Sequence, residues 1–200
     1  MSTLVVGVTG ASGAIYAHRF VLQAARRCDR LYLIVSEQAK QVAETELSLD
    51  IGEGPDWTRR WLGADFPNLE LLAAKDYFTP PASGSFRHDG MVIVPCSMGT
   101  VGRIASGVSD DLLTRCADVC LKEGRKLIVV PREMPWNLIM LRNLTRLAEA
   151  GATIMPACPA WYSQPKSLDD LADTVVARIL QNLGMDQDLV KPWMEGFDRR

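Results

Sequence analysis

Hydroxyls, glycines and one Arg–Glu pair recur where apolar runs of this chain end. Thr9-Gly10-Ala11-Ser12-Gly13 follows LVVGV, Ser36 follows LYLIV, Ser97-Met98-Gly99-Thr100 follows MVIVPC, and Arg132-Glu133 follows KLIVVP. Small residues let the backbone approach a ligand, free N–H groups at a helix start attract an anion, and hydroxyls and arginine donate to phosphate oxygens. The chemistry these residue types suit is the binding of a phosphorylated ligand. For Ser97 and Thr100 the competing expectation is helix capping, and for Gly99 and Gly102 it is close helix packing.

Which phosphorylated ligand follows from what is absent around the first turn. Gly10-x-x-Gly13 after Val8-Thr9 is similar to the opening of a nicotinamide-dinucleotide site, but the position for a third glycine holds Tyr16. The second apolar run ends in Ser36 instead of the acidic residue that would bind an adenosine ribose. Tyr162 and Lys166 have the Tyr-x-x-x-Lys spacing of a dehydrogenase pair. Pro165 lies between them, and an interior proline costs a helix roughly 3 kcal/mol, so they are not expected to share a helical face. One phosphate site without the second nucleotide's apparatus suits a mononucleotide, and FMN is the first candidate.

Composition narrows the class further. With 200 residues, 48% apolar and 23% charged, the chain is long enough for one well-packed domain without disulfides or a structural metal. A formal charge of −2 provides no global attraction to nucleic acid or to an anionic membrane. No apolar run approaches the roughly 20 residues of a membrane helix, and no signal-like segment opens the chain, so the expected location is the cytoplasm. The cysteines Cys28, Cys96, Cys116, Cys120 and Cys158 form no Cys-x-x-Cys pair, and only His18 and His88 are present, so no metal cage is expected. Cys116 and Cys120 read as small buried apolar residues on one helical face.

These residues need a scaffold that brings the ends of apolar runs to one edge. Strands are expected at the first run, at 30–36, weakly near NLELLA, and at MVIVPCS, KLIVVP and ATIMP. Between them come helices at EQAKQVAETE, a short DWTRRWLG, SDDLLTRCADVCLKEG capped by Ser109 or Asp110, about Pro135 to Ala150 ended by Gly151, and SLDDLADTVVARILQNLG opened by Ser167 and closed by Gly184. FTPPASGSFRHDG is loop by composition. Alternating strands and helices imply a three-layer α/β domain over 1–184 with a mostly parallel sheet, Rossmann-like or flavodoxin-like, and ligands at the carboxyl ends of its strands. The tail 185–200, containing Trp193, is expected to pack as an arm of the same domain.

TRCADVCLKEGRKLIVVPREMPW, with PCSMGT before it and PAWYSQPKSLDDL after it, closely resembles the UbiX-type flavin prenyltransferases, including relatives paired with aromatic acid decarboxylases. The resemblance runs from the first strand to Trp193. It implies transfer of a dimethylallyl group from a prenyl phosphate, dimethylallyl phosphate, to N5 and C6 of reduced FMN without a metal. The product is prenylated FMN for a UbiD-type decarboxylase. It also implies a homododecamer with active sites between subunits. Carried onto this chain, the flavin site comprises Gly10, Ala11, Ser12, Ser36, Ser97, Met98, Gly99, Thr100 and Arg115, and the prenyl-phosphate site comprises Lys122, Arg132, Tyr162 and Arg178. Glu133 matches the acid–base carboxylate, with Ser12 as a proton relay between it and the phosphate. Glu46 matches a second glutamate near the flavin, and Trp193 an aromatic that faces the developing allyl cation.

The chain departs from many relatives at PWNLIMLRN, where Met140 replaces a histidine and Arg142 a glutamate, and in the polar segment 47–74. Neither departure removes a carried-over position. Two other classes share the fold or the ligand: a flavin-dependent cysteine-type decarboxylase, whose histidine His18 fits poorly, and a non-catalytic flavin carrier. A carrier would tolerate loss of Glu133 and Lys122, whereas the enzyme would not.

Overall fold

The computed structural model describes residues 2–50, 52, 54 and 56–191; Trp193 and the remainder of the expected arm from 192 onward lie outside the described residues. The chain order is β1 (Thr3–Val8), α1 (Ala14–Arg27), β2 (Arg30–Val35), α2 (Glu37–Leu47), α3 (Trp57–Leu62), β3 (Leu69–Leu72), β4 (Gly90–Cys96), α4 (Met98–Ala105), α5 (Leu112–Lys122), β5 (Leu127–Pro131), α6 (Leu138–Glu149), β6 (Thr153–Ile154) and α7 (Leu168–Leu183). Among the described residues the six strands form one sheet in the order β3-β2-β1-β4-β5-β6, and every pairing is parallel.

Strand side chains alternate between two buried layers, because successive residues of a strand point to opposite faces. Leu4, Val6, Val8, Leu31, Leu33, Val35, Val92, Val94, Ile128 and Val130 face the layer that also holds buried residues of α1, α2, α3 and α7. Val5, Tyr32, Ile34, Met91, Ile93, Leu127 and Val129 face the layer with α4, α5 and α6. Burial on both faces is what makes these strands near-continuous Val/Leu/Ile runs. Gly7 is the exception in β1, and the gap it leaves on the α4–α5–α6 side is filled from that layer: a Cβ there would lie 2.8 Å from Leu113 of α5.

The sheet winds outward in both directions from the pair β1 and β4. At such a switch point the connections after neighbouring strands diverge and leave a crevice beyond the carboxyl ends. The core therefore rigidly sets the spacing of the segments after β1, β2, β4 and β5, the four positions at which the sequence concentrates its hydroxyls, glycines and Arg–Glu pair.

Three local expectations change. The segment after β4 contains a separate helix, α4, before the connection to α5; Ser97 caps it by accepting from Thr100 N–H at 3.3 Å. Neither Ser109 nor Asp110 caps α5. Asp111 does, accepting from Thr114 N–H at 2.7 Å while Thr114 Oγ1 receives the Asp111 N–H, a reciprocal capping box. Helix α6 starts at Leu138 after an Asn137 cap, because Asn137 Oδ1 accepts from Met140 N–H. Cys116 and Cys120 are buried as expected, and desolvation pushes each thiol up to about 12.

Candidate active site

The carboxyl-end crevice between β1, β2 and β4 encloses a cavity of about 790 Å³ bordered by Thr9, Gly10, Ser36, Gln38, Ser97 and Thr100. Thr9 ties its two central strands together. Its hydroxyl donates to Pro95 O at 2.9 Å and accepts the Ser97 N–H at 2.8 Å. Ser36 caps α2 through Ala39 N–H at 3.2 Å. Gly10 lets α2 close against the first turn: a Cβ at this position would lie 2.5 Å from Gln38 Cβ. Two helix starts, α2 and α4, thus border one cavity with their capping hydroxyls.

Beyond Thr100 the polar lining continues in order. Ser97 Oγ and Thr100 Oγ1 are 3.0 Å apart, Arg103 Nη2 donates to Thr100 Oγ1 at 3.2 Å, and Arg103 Nη1 donates to both Asp110 and Asp111 at 2.7 Å. Lys75 reaches the same segment by donating to Asp110 O at 2.8 Å. The volume lies within the range of small-molecule sites, and a row of hydroxyls with two helix starts fits a phosphorylated mononucleotide.

A second polar cluster adjoins the first turn, at the start of α1. Gly13, at φ +104°, ends the turn in the left-handed region that glycine adopts without strain. The Gly13 and Ala14 N–H groups both donate to Glu46 Oε2 at 2.8 Å, and Arg132 Nε donates to Ser12 O at 2.9 Å. Burial pushes the Glu46 carboxyl up, but the Ser12 hydroxyl, the two backbone N–H groups and the Arg132 charge outweigh it and hold the carboxyl below its usual range. Tyr16 stands at the rim. Burial and the nearby Cys158 push its phenol up, partly offset by Arg132.

The structure brings Gly10, Ser12, Ser36, Glu46, Ser97, Thr100 and Arg132 to one edge of the sheet, with Glu133 following Arg132 on that edge. The Ser12 hydroxyl hydrogen-bonds Glu46; Glu133 is exposed and accepts its neighbour Met134 N–H at 3.0 Å. Tyr162 lies in a turn and, with Pro165, outside any helix, so it and Lys166 share no helical face.

Three expected cations do not join this edge within one chain. Arg115 donates to Ala82 O at 3.1 Å and to Asp118 at 3.1 Å. Lys122, in the last turn of α5, pairs with Glu123 near the loop that enters β4, about 10 Å further along the helix from Arg115. Arg178 is exposed on α7 and donates to Gln181 at 2.7 Å. Tyr16, Arg103 and the Asp110–Asp111 pair were not expected at the site from sequence, whereas Thr9 was among the strand-end hydroxyls the sequence singles out.

Among the described residues no helix is long and apolar enough to cross a membrane, and no group of three or more His, Cys, Asp or Glu side chains is placed to hold a metal ion. The model of the Flavoprotein family matches residues 1–180. A flavin prenyltransferase UbiX of Thermoplasma acidophilum is 46% identical over 190 residues, covering 95% of this chain and 99% of its own. Of solved structures, AnUbiX (PadA1) in complex with FMN and dimethylallyl pyrophosphate superposes with a TM-score of 0.86 at 38% identity, covering 98% of this chain and 99% of that one. A dodecameric FMN-dependent UbiX-like decarboxylase of Escherichia coli O157:H7 superposes with a TM-score of 0.84 at 37% identity, covering 96% and 100%.

Proposed function

Since the chain belongs to the UbiX-type flavin prenyltransferases within the Flavoprotein family, we propose that it joins the dimethylallyl group of dimethylallyl phosphate to N5 and C6 of reduced FMN, releasing phosphate. The product, prenylated FMN, is destined for a UbiD-type decarboxylase. The observation that carries this reading is the adjacency of two features at one sheet edge: the hydroxyl-lined crevice at β1, β2 and β4, and beside it the Arg132 guanidinium, held through its Nε by Ser12 O.

In this reading Gly10, Ala11, Ser12, Ser36 and Ser97 to Thr100 hold the flavin, which supplies the nucleophilic nitrogen and ring carbon. Arg132 and Tyr162 bind the prenyl phosphate from within the chain and stabilise the charge that grows on it as its C–O bond breaks. A fixed guanidinium does this without a metal, so a chelator is expected to leave the rate unchanged. Glu133 accepts and returns the proton lost from the flavin, while Glu46 accepts the Ser12 O–H and holds the first turn in place beside the phosphate.

Arg115, Lys122 and Arg178 are assigned to the site of a neighbouring copy, because within their own chain they contact Ala82 and Asp118, Glu123, and Gln181, with no contact to the Ser12 edge among these bonds. An assembly of the dodecameric kind described for the E. coli relative supplies such neighbours. Exposed Met134, Leu138, Ile139 and Trp161 supply apolar area for those contacts. Trp193 is assigned to the same shared site, and the reaction is placed in the cytoplasm, where reduced flavin and a partner decarboxylase meet.

The test is anaerobic incubation of the protein with reduced FMN and dimethylallyl phosphate, followed by the mass of the extracted flavin, with Glu133→Gln in parallel. Gain of one C5 unit, strongly diminished in the variant, is the expected result. Unmodified FMN with both the monophosphate and the diphosphate donors rejects the transferase reading.

A further inference from the structure

Arg103 stands outside the set of residues the resemblance assigns, yet it ends a continuous chain of polar contacts that begins at the connection between α4 and α5 and finishes inside the crevice. Its Nη1 is held by both Asp110 and Asp111 at 2.7 Å. Asp111 is itself fixed, because its other carboxylate oxygen caps α5 at Thr114. With Nη1 committed to two carboxylates, Nη2 is presented to Thr100 Oγ1 at 3.2 Å. Thr100 is 2% exposed, so its side chain is packed among these protein partners.

The polarity of the chain follows from donor and acceptor counts. A guanidinium donates only, so it occupies a lone pair of Thr100 Oγ1 and draws electron density from it. That makes the Thr100 hydroxyl the better donor in its 3.0 Å contact with Ser97 Oγ. Ser97 Oγ then accepts twice, from Thr100 O–H and from Thr100 N–H at 3.3 Å, and both its lone pairs are used. The Ser97 N–H is already taken by Thr9 Oγ1. What remains of Ser97 is one O–H, left for a ligand in the cavity that Ser97 lines.

We propose that Arg103 is a positioning residue that acts through Thr100 to fix Ser97 as an obligate hydrogen-bond donor to an acceptor oxygen or nitrogen of the bound flavin. The inference rests on the flavin reading above. It adds a direction to the site: the crevice offers a donor at Ser97 and disfavours a ligand that presents a donor there. Asp110 and Asp111 take part by aiming the guanidinium and balancing its charge.

The test measures FMN dissociation constants and the visible absorption band of bound FMN for the full-length protein and for Arg103→Met, Thr100→Val and the double variant. Arg103→Met keeps most of the aliphatic stem, and Thr100→Val keeps the shape of the side chain. Each single change is expected to weaken FMN by roughly three- to tenfold, the range of one hydrogen bond, and to shift the band in the same direction. The double variant is expected to bind no more weakly than the weaker single within about twofold, since both changes break one chain. Losses that multiply in the double variant, or an Arg103→Met protein that melts earlier but binds FMN normally, overturn the proposal. If Arg103→Met does not fold, Thr100→Val decides, because it leaves the Arg103–Asp pairs in place; unchanged affinity there overturns the relay.

Repeating the series with riboflavin identifies the acceptor. Equal losses assign it to the ring or ribityl chain, whereas losses seen only with FMN assign it to the phosphate, and either pattern supports the donor role. Wild-type protein that binds neither flavin overturns the flavin reading and the relay with it. Wild-type binding with multiplicative losses overturns the relay alone.

Discussion

Glu46 occupies the place at the start of α1 where a helix attracts an anion, with its carboxylate on the Gly13 and Ala14 N–H groups. The carboxylate contributes stability only when ionised. Because its folded value lies below the ordinary one of 4.5, that contribution is complete above 4.5 and is lost as pH falls through the lowered folded value. Glu46→Gln is therefore expected to melt below the wild type at neutral pH, with the gap closing as pH drops below the ordinary carboxylate value. Thermal melts of both proteins across the acid range check this, and a gap independent of pH contradicts the assignment. The same variant is expected to slow prenyl transfer about 10²-fold through the displaced first turn. The identity of each of these residues was legible in the sequence, but the pairing of Ser12 with Glu46 was not, since 34 positions of chain separate them and only packing of α2 against the first turn closes that distance.

Helix ends set this site more than helix interiors do. Ser36, Ser97 and Asp111 each cap a helix that borders the crevice, and Asp111 also anchors Arg103. A capping serine at the end of a strand announces itself in sequence. Competition among Ser109, Asp110 and Asp111 does not, because all three are competent caps and the backbone direction between α4 and α5 decides which one meets Thr114. Asp111→Ala removes both the cap and a partner of Arg103. It is expected to destabilise the fold by about 1 kcal/mol, or about 2–4 °C in Tm for a domain of this size, and to weaken FMN binding. Calorimetry with flavin titration checks both effects, and a variant that loses only stability separates the cap from the site.

At the scale of the whole molecule, the sheet order gathers the strand ends at one switch point but leaves Arg115, Lys122 and Arg178 on other faces. Helix α6 exposes Leu138, Ile139 and Leu141, apolar side chains at helical spacing that its own core does not cover. Ile139→Asp is expected to break the assembly into smaller species by light scattering and to abolish prenyl transfer while the secondary structure persists. Co-expressing Lys122→Ala with Glu133→Gln checks the sharing of sites directly. Each variant alone is expected to be inactive, and mixed assemblies are expected to regain activity, because some sites then draw Lys122 and Glu133 from intact copies. Activity in dispersed Ile139→Asp protein would instead require a complete site within one chain.

The sequence by itself determined the strands, most of the helices and the residue types at the strand ends, because continuous apolar runs and capping signals are local properties written into a few consecutive positions. It also carried the family, since PCSMGT, TRCADVCLKEGRKLIVVPREMPW and PAWYSQPKSLDDL follow one another in that order. Only the tertiary structure decided that Asp111 caps α5, that Ser12 meets Glu46, and that Arg103 closes on Thr100. Each of these depends on the angle between two packed elements, and that angle is fixed by how side chains such as Leu113 against Gly7 fill the space between sheet and helix.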